Sequence, residues 1–145
     1  MKKTDVPAGP LVVDTDVFSM WYRRRGRFDE FQELASGHPL AMSFASVGEA
    51  LTPCYGAKGI APGTAERIRM ALSQFVVVPY DDDIVDRWAR MAGGLQGRLK
   101  GRGINDMWTA ACALSHGFPV VTNNLSDFQT IQEVEPALRL VHPDL

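Results

Sequence analysis

The stretch from residue 102 to residue 128 restricts the possible folds more than any other part of the chain. Apolar side chains recur there at helical spacing, at positions 107, 110, 111 and 114, which predicts a helix with one apolar stripe. Gly117 and Pro119 are expected to end that helix. The valine-rich run at 119–122 is typical of a central strand that is buried on both faces. The stretch therefore predicts a helix followed almost directly by a buried strand.

Other short apolar runs alternate with helical patterns along the rest of the chain. Strands are predicted at 11–13, 40–44, 75–78 and 138–141, with helices between them. This alternation predicts an α/β fold with a mainly parallel sheet covered by helices on both faces. The length of 145 residues suits one domain that covers residues 1–145. Sites in such sheets lie at the carboxyl ends of the strands, at the point where the strand order switches direction.

Two predicted helices carry features that bear on where they begin and end. Ser46 and Glu49 have the spacing of a capping box, which predicts a helix that starts there and continues to about Tyr55. Pro53 should kink that helix or mark its end. The later helix that follows the acids at 81–83 contains a Gly-Gly pair at 93–94, which is expected to interrupt it.

The composition excludes several classes of protein. A net charge of −2 argues against binding polyanions over the whole surface, although local basic patches beside acids stay compatible with a nucleic-acid enzyme. No apolar run is long enough to span a bilayer, and the first residues lack the apolar middle of a secretory signal. Cys54 and Cys112 set no disulfide framework, so the cytoplasm is the expected compartment.

Four acids, Asp14, Glu49, Asp106 and Asp127, are candidate site residues, and each also has a purely structural explanation. Asp14 has the position of a cap for the helix after it, and Glu49 is the expected partner of Ser46 in the capping box. Asp106 would complement a helix dipole beside an Asn105 cap. Asp127 follows Asn124 at capping spacing. Taken one at a time, these structural explanations are at least as good as a functional one.

Taken together, the four acids favour a metal site. Asp14 and Asp127 both follow predicted parallel strands, whose carboxyl ends lie at one edge of the sheet. Carboxylates that converge in one cleft repel each other and must bind protons or cations. Hard divalent cations prefer such oxygen ligands, and a bound metal ion can activate water and stabilise charge on a phosphate. The sequence thus indicates metal-assisted phosphodiester hydrolysis.

Four segments, LVVDTDVFS, SFASVGEALT, INDMWTAACA and VVTNNLSDF, together resemble the motifs of PIN-domain ribonucleases, and in particular the VapC-type toxins of bacterial toxin–antitoxin pairs. The resemblance covers residues 11–141. It implies a three-layer α/β/α sandwich and an endoribonuclease that depends on Mg²⁺ or Mn²⁺. It also implies a homodimer and a small VapB-like antitoxin that blocks the cleft.

The resemblance also assigns expected roles to individual residues. Asp14 and Asp106 match the positions that most regularly ligate the metal, and Glu49 and Asp127 match the other two acids of a catalytic quartet. Two further residues, Thr15 and Asn124, match polar supporting positions. Asp16 stands where the family commonly has Asn. The division of roles between Glu49 and Asp127, and the number of metal ions, stay open.

Basic and aromatic residues suggest contacts with RNA and with the antitoxin. Arg98, Lys100 and Arg102 precede Asp106 and could guide an RNA backbone, or could simply form a solvated helix end. The basic run at 23–27 has the same two interpretations. Aromatic residues at 18, 21 and 22 are expected to be exposed and to suit an antitoxin groove. The competing hypothesis for the whole protein is a catalytically silent PIN-like module that binds RNA or protein.

Overall fold

A computed structural model of the chain describes residues 1–56, 61–99 and 103–145. Its centre is a five-stranded sheet in the order β3-β2-β1-β4-β5, in which each adjacent pair of strands is parallel. The strands are short, as their bounds show: β1 Leu11–Val13, β2 Leu40–Ser43, β3 Val76–Val78, β4 Val120–Val121 and β5 Leu140–Val141. The predicted parallel α/β sheet is therefore confirmed.

Helices cover both faces of this sheet. The described ranges contain seven α-helices: α1 Thr15–Arg23, α2 Phe28–Ala35, α3 Phe44–Leu51, α4 Thr64–Leu72, α5 Asp82–Leu95, α6 Gly103–His116 and α7 Leu125–Val134. Short 3-10 turns span Lys3–Asp5 and Thr52–Tyr55. Within these same ranges, no helix combines the length and the apolar character needed to cross a bilayer.

The strands divide the interior into two cores because successive strand residues point to opposite faces of a sheet. Val12 belongs to the core shared with helices α5, α6 and α7. Its neighbours Leu11 and Val13 belong to the core shared with α1, α2 and α4. Nearly every residue of the three central strands is buried, which explains why these strands are almost entirely apolar in sequence. The two cores establish the three layers.

The strand order places a switch point beside β1. From β1 the chain builds outward to β2 and β3, then returns to the other side of β1 to add β4 and β5. Val13 lies beside Val121, so β1 and β4 end level with each other. The helices that follow the two strands leave this end of the sheet, and the crevice between them is where a parallel sheet presents its ligand site.

Three predicted helix details are wrong. The cap of α3 is Ser43, whose hydroxyl accepts a hydrogen bond from the backbone N–H of Ser46, so α3 starts before the predicted capping box and Glu49 takes no part in one. Asn105 lies inside α6 and does not cap it. Helix α5 continues through the Gly-Gly pair, since burial of its apolar face offsets the low helix propensity of glycine. The expected end of a helix near Pro53 is confirmed.

Candidate functional site

A cleft of about 800 Å³ opens at the carboxyl ends of β1 and β4, at the switch point of the sheet. Its lining consists of five acids and three amides: Asp14, Asp16, Glu49, Asn105, Asp106, Asn123, Asn124 and Asp127. The fold therefore brings together all four predicted acids, although they are spread over 113 positions of the chain and come from four different segments. The predicted supporting residue Asn124, together with Asn105, Asn123 and Asp16, completes the lining.

Asp14 lies at the base of the cleft and is 4% exposed. Its Oδ1 accepts a hydrogen bond from the backbone N–H of Thr15 at 2.8 Å, which makes it the N-cap of α1. Its Oδ2 accepts a hydrogen bond from the hydroxyl of Thr122 at 3.0 Å, and that hydroxyl in turn accepts from the backbone N–H of Asn124 at 2.9 Å. The structural and the functional interpretations of Asp14 are thus compatible.

The electrostatic environment of Asp14 disfavours its charged form when no cation is bound. Burial, followed by the nearby charge of Asp16, raises the pKa of Asp14 to about 7. The hydrogen bonds from Thr122 and Thr15 act in the opposite direction, because they stabilise the carboxylate. Burial prevails since these two contacts leave much of the lost hydration uncompensated.

Asp106 projects from the first turn of α6 and is 7% exposed. Burial raises its pKa to about 8, with further contributions from the negative charges of Asp14 and Asp127. The amide of Asn124 donates one hydrogen bond to Asp106 at 3.1 Å and another to Asp127 at 2.7 Å. Asn124 therefore holds two acids together, and its side chain makes no capping hydrogen bond to α7.

Glu49 reaches the cleft from α3, where it is half-buried and accepts a hydrogen bond from the side-chain amide of Asn105. Below this contact, α3 and α6 are joined by a buried chain of hydroxyls. The hydroxyl of Ser43 donates to that of Ser46 at 3.1 Å, and Ser46 pairs with Thr109 of α6 at 3.2 Å. No sequence pattern predicts the Asn105–Glu49 pair, because the contact depends on how two distant helices pack.

Thr15 and Asp16, the first two residues of α1, differ in burial. Thr15 is buried, and its hydroxyl has no hydrogen-bond partner among the described residues. Asp16 is exposed at the rim of the cleft. A buried donor without a partner is costly. The carboxyl end of β1 therefore holds both an unsatisfied hydroxyl and excess negative charge.

The donor set of the cleft fits a hard divalent cation. The described lining includes no lysine, arginine or histidine, so no side-chain cation there neutralises the five acids. Within residues 1–56, 61–99 and 103–145, no three His, Cys, Asp or Glu side chains form a ready-made metal cage. Mg²⁺ needs no such cage, because it is usually held by one or two carboxylates and keeps several waters. Carboxylate and amide oxygens are suitable ligands for it.

Of the predicted RNA-contacting residues, the structure describes Arg98, which does not line the cleft. Arg98, just beyond α5, is exposed and pairs with Glu133 of α7 at 2.5 Å. Lys100 and Arg102 lie outside the described residues. The basic run after α1 is exposed, and within it Arg27 forms ion pairs with Glu30 and Asp144.

A second, less polar groove of about 400 Å³ lies beside α1, between α2 and the end of α4. The predicted exposure of Phe18 is wrong, because this residue belongs to the core and is 4% exposed. Its ring packs against the rings of Tyr22 and Phe75. Trp21 is half-buried, and Tyr22 is 36% exposed. The indole N–H of Trp21 has no hydrogen-bond partner within the described structure.

Comparison with known proteins identifies a family. Residues 11–133 match the PIN domain family. Among curated proteins, the chain is 34% identical to Ribonuclease VapC1 of Rickettsia felis over 68 residues. That alignment covers 47% of this chain and 51% of the relative, so it spans about half the length of the curated protein.

Solved structures share the fold over nearly the whole chain. VapBC-1 from nontypeable Haemophilus influenzae matches with a TM-score of 0.73 and 23% identity, covering 94% of this chain and 99% of that one. A toxin–antitoxin complex from Klebsiella pneumoniae matches with a TM-score of 0.67 and 25% identity, covering 92% and 97%. VapBC-5 from Mycobacterium tuberculosis matches with a TM-score of 0.67 and 24% identity, covering 94% and 99%.

Proposed function

We propose that this chain, which belongs to the PIN domain family, is a metal-dependent endoribonuclease and the toxin of a type II toxin–antitoxin pair. One observation carries the proposal: two buried carboxylates, Asp14 and Asp106, share an acidic cleft at the switch point of the sheet, with no side-chain cation in its described lining. Likeness to a protein named Ribonuclease VapC1 and to structures of toxin–antitoxin complexes supports the assignment. The whole chain is proposed to be one PIN domain.

Asp14 and Asp106 would hold Mg²⁺ or Mn²⁺. The bound ion would lower the pKa of a coordinated water and neutralise charge that develops on the RNA phosphate. Thr15 and Thr122 fix both oxygens of Asp14, so its carboxylate keeps one orientation in the cleft. Asn124 holds one oxygen of Asp106 and one of Asp127, because its amide donates to the Oδ2 of each.

Glu49 and Asp127 are proposed as the two remaining catalytic acids. Both are half-buried on the rim of the cleft, where a side chain can contact water as well as substrate. Asp127 is linked to Asp106 through hydrogen bonds to Asn124, whereas Glu49 reaches the cleft from α3. They would orient the attacking water or complete the hydration shell of the metal ion.

RNA is the proposed substrate, and its backbone would be guided by basic residues that precede Asp106 in the sequence. Arg98, Lys100 and Arg102 are the proposed contacts. The ion pair of Arg98 with Glu133 is exposed, so it contributes little to stability and can be exchanged for a phosphate contact at small cost. Phosphate contacts of this kind supply affinity without reading the sequence.

The proposed partners are a second copy of the chain and a VapB-like antitoxin. The groove beside α1 offers the partly exposed rings of Trp21 and Tyr22 and an indole N–H that lacks a partner in the described structure. An antitoxin segment could cover these rings and accept the hydrogen bond. The assignment is wrong if Trp21→Ala leaves antitoxin affinity unchanged.

The test of the proposed activity is cleavage-end mapping of total RNA after induced expression. Expression of the wild-type chain should arrest growth and produce new RNA ends, and Asp106→Asn should abolish both. Asp86→Asn is the matched control, because Asp86 is an exposed acid of α5 that pairs only with Arg90 in the described structure. Identical RNA ends with and without the wild-type chain would instead favour the catalytically silent module.

A further inference from the structure

We propose that Asn105 is a positioning residue that holds Glu49 in its active orientation. The inference rests on the proposed nuclease function and extends it to a residue that the sequence assigned only a capping role. Its basis is the hydrogen bond from the Asn105 amide to the Glu49 carboxylate, which joins α6 to α3 across the cleft.

The first turn of α6 contributes two side chains to the site, and they point in different directions. Successive helix residues project about 100° apart, so neighbours cannot point to the same place. Asp106 points to the buried base of the cleft, where it meets Asn124. Asn105 therefore points to one side, towards α3, and meets Glu49. One helical turn thus supplies a buried acid and the group that orients a second one.

The contact between Asn105 and Glu49 is the upper of two polar links between the same helices. The lower link is the hydrogen bond between Ser46 and Thr109, both fully buried. Thr109 lies four residues after Asn105 on α6, and Ser46 lies three residues before Glu49 on α3. These are the spacings that place side chains on one face of a helix, one turn apart. The lower link therefore sets the register of the helices at which the upper link can form.

Glu49 needs such a partner because its surroundings push it away. Its charge is one of the causes that raise the pKa of Asp14 and of Asp106, so the three carboxylates repel each other whenever they are ionised. Glu49 is only half-buried and has three side-chain torsions with which to turn into solvent. In the described structure, Asn105 is the one side chain that donates a hydrogen bond to it. An amide holds the carboxylate without neutralising it.

The test is a double-mutant cycle in the full-length protein on a defined oligoribonucleotide with Mg²⁺. Asn105→Ala should lower kcat about 10- to 100-fold, the range found for residues that orient metal-site groups, and should change KM by less than about twofold. In the Glu49→Ala background the same substitution should change kcat by less than about twofold, because no carboxylate remains to be positioned. Asn105→Gln, which retains the amide, should recover part of the activity.

A second measurement, by NMR, does not depend on catalytic activity. In the metal-free chain, the side-chain amide resonances of Asn105 should shift when Glu49 is replaced by alanine, and should not shift when exposed Ile104 of the same helical turn is replaced. If Asn105→Ala fails to fold, Asn105→Leu, which is similar in size to asparagine and also lacks the amide, enters the cycle in its place.

If the wild-type chain cleaves RNA, any one of three results would overturn the inference. They are wild-type kcat in Asn105→Ala, equal losses from that substitution with and without Glu49, and no shift of the Asn105 amide resonances in Glu49→Ala. Failure of the proposed function is distinguishable, because the wild-type chain itself would then cleave no RNA.

Discussion

Replacing Asp106 by asparagine should stabilise the metal-free protein at alkaline pH, although it removes a proposed metal ligand. The pKa of Asp106 lies at about 8 in the folded chain, against an ordinary value of 3.8. Between these values the folded state binds a proton that the unfolded state has released. The free energy of unfolding of the wild-type chain therefore falls as the pH rises through this window. Asparagine has no proton to lose and escapes this loss.

The size of the effect follows from the two pKa values. One pH unit corresponds to about 1.4 kcal/mol, so the full separation from 3.8 to about 8 sets an upper limit of about 6 kcal/mol. Between about pH 5 and about pH 9 the stability difference between variant and wild type should grow by at most about 4 kcal/mol. About half of that is a realistic value, since water that enters the cleft screens the carboxylates. The corresponding change in Tm is roughly 5–10 °C.

Urea unfolding in the presence of a chelator, followed by circular dichroism, measures this difference. Comparing the two pH values within each protein removes any pH-independent cost of changing the acceptor of the hydrogen bond from Asn124. Asp86→Asn is the control, because it deletes an exposed acid outside the cleft and should show no growing difference. If the free energy of unfolding of Asp106→Asn changes with pH as that of the wild type does, the pKa of Asp106 is not raised by folding. The electrostatic argument for the metal site would then be wrong.

Three further predictions concern the ligand, the geometry and the substrate. Mg²⁺ should raise the Tm of the wild-type chain at about pH 8 by neutralising the cleft, and Asp14→Asn should remove most of that shift in a thermal scan. Asn124→Ala should lower kcat about 10- to 100-fold on an oligoribonucleotide, because Asp106 and Asp127 lose the amide that holds them together. Arg98→Ala should raise KM for RNA a few-fold at unchanged kcat and reduce the salt dependence of KM, measured at two ionic strengths.

The sequence was sufficient to locate the buried strands and the acids that follow them. Strands β1 and β4 are apolar throughout, and Asp14 comes directly after one of them, so both the parallel sheet and the place of the site could be inferred. The order and type of the remaining motifs then assigned Glu49, Asp106 and Asp127 to one cleft by resemblance. All four line it in the structure.

Sequence reasoning failed where two residues of one type compete or where distant helices must pack. Ser43 and Ser46 both suit a helix cap, and only the end of strand β2 decides that Ser43 takes that role. Phe18 and Tyr22 lie one helical turn apart, yet one is in the core and the other on the surface, because Phe75 covers only the first. Asn105 has no local pattern that points to Glu49.

Amides beside the acids explain how the cleft orients its carboxyl groups without a side-chain cation in its described lining. A lysine or arginine at position 124 would pair with Asp106 and Asp127, lower the pKa of Asp106 and occupy the place of a metal ion. The amide of Asn124 instead holds both side chains with hydrogen bonds and brings no positive charge into the cleft. Asn105 does the same for Glu49. The amides thus orient the carboxyl groups but do not neutralise them. Neutralisation is left to a bound metal ion, which can also activate water.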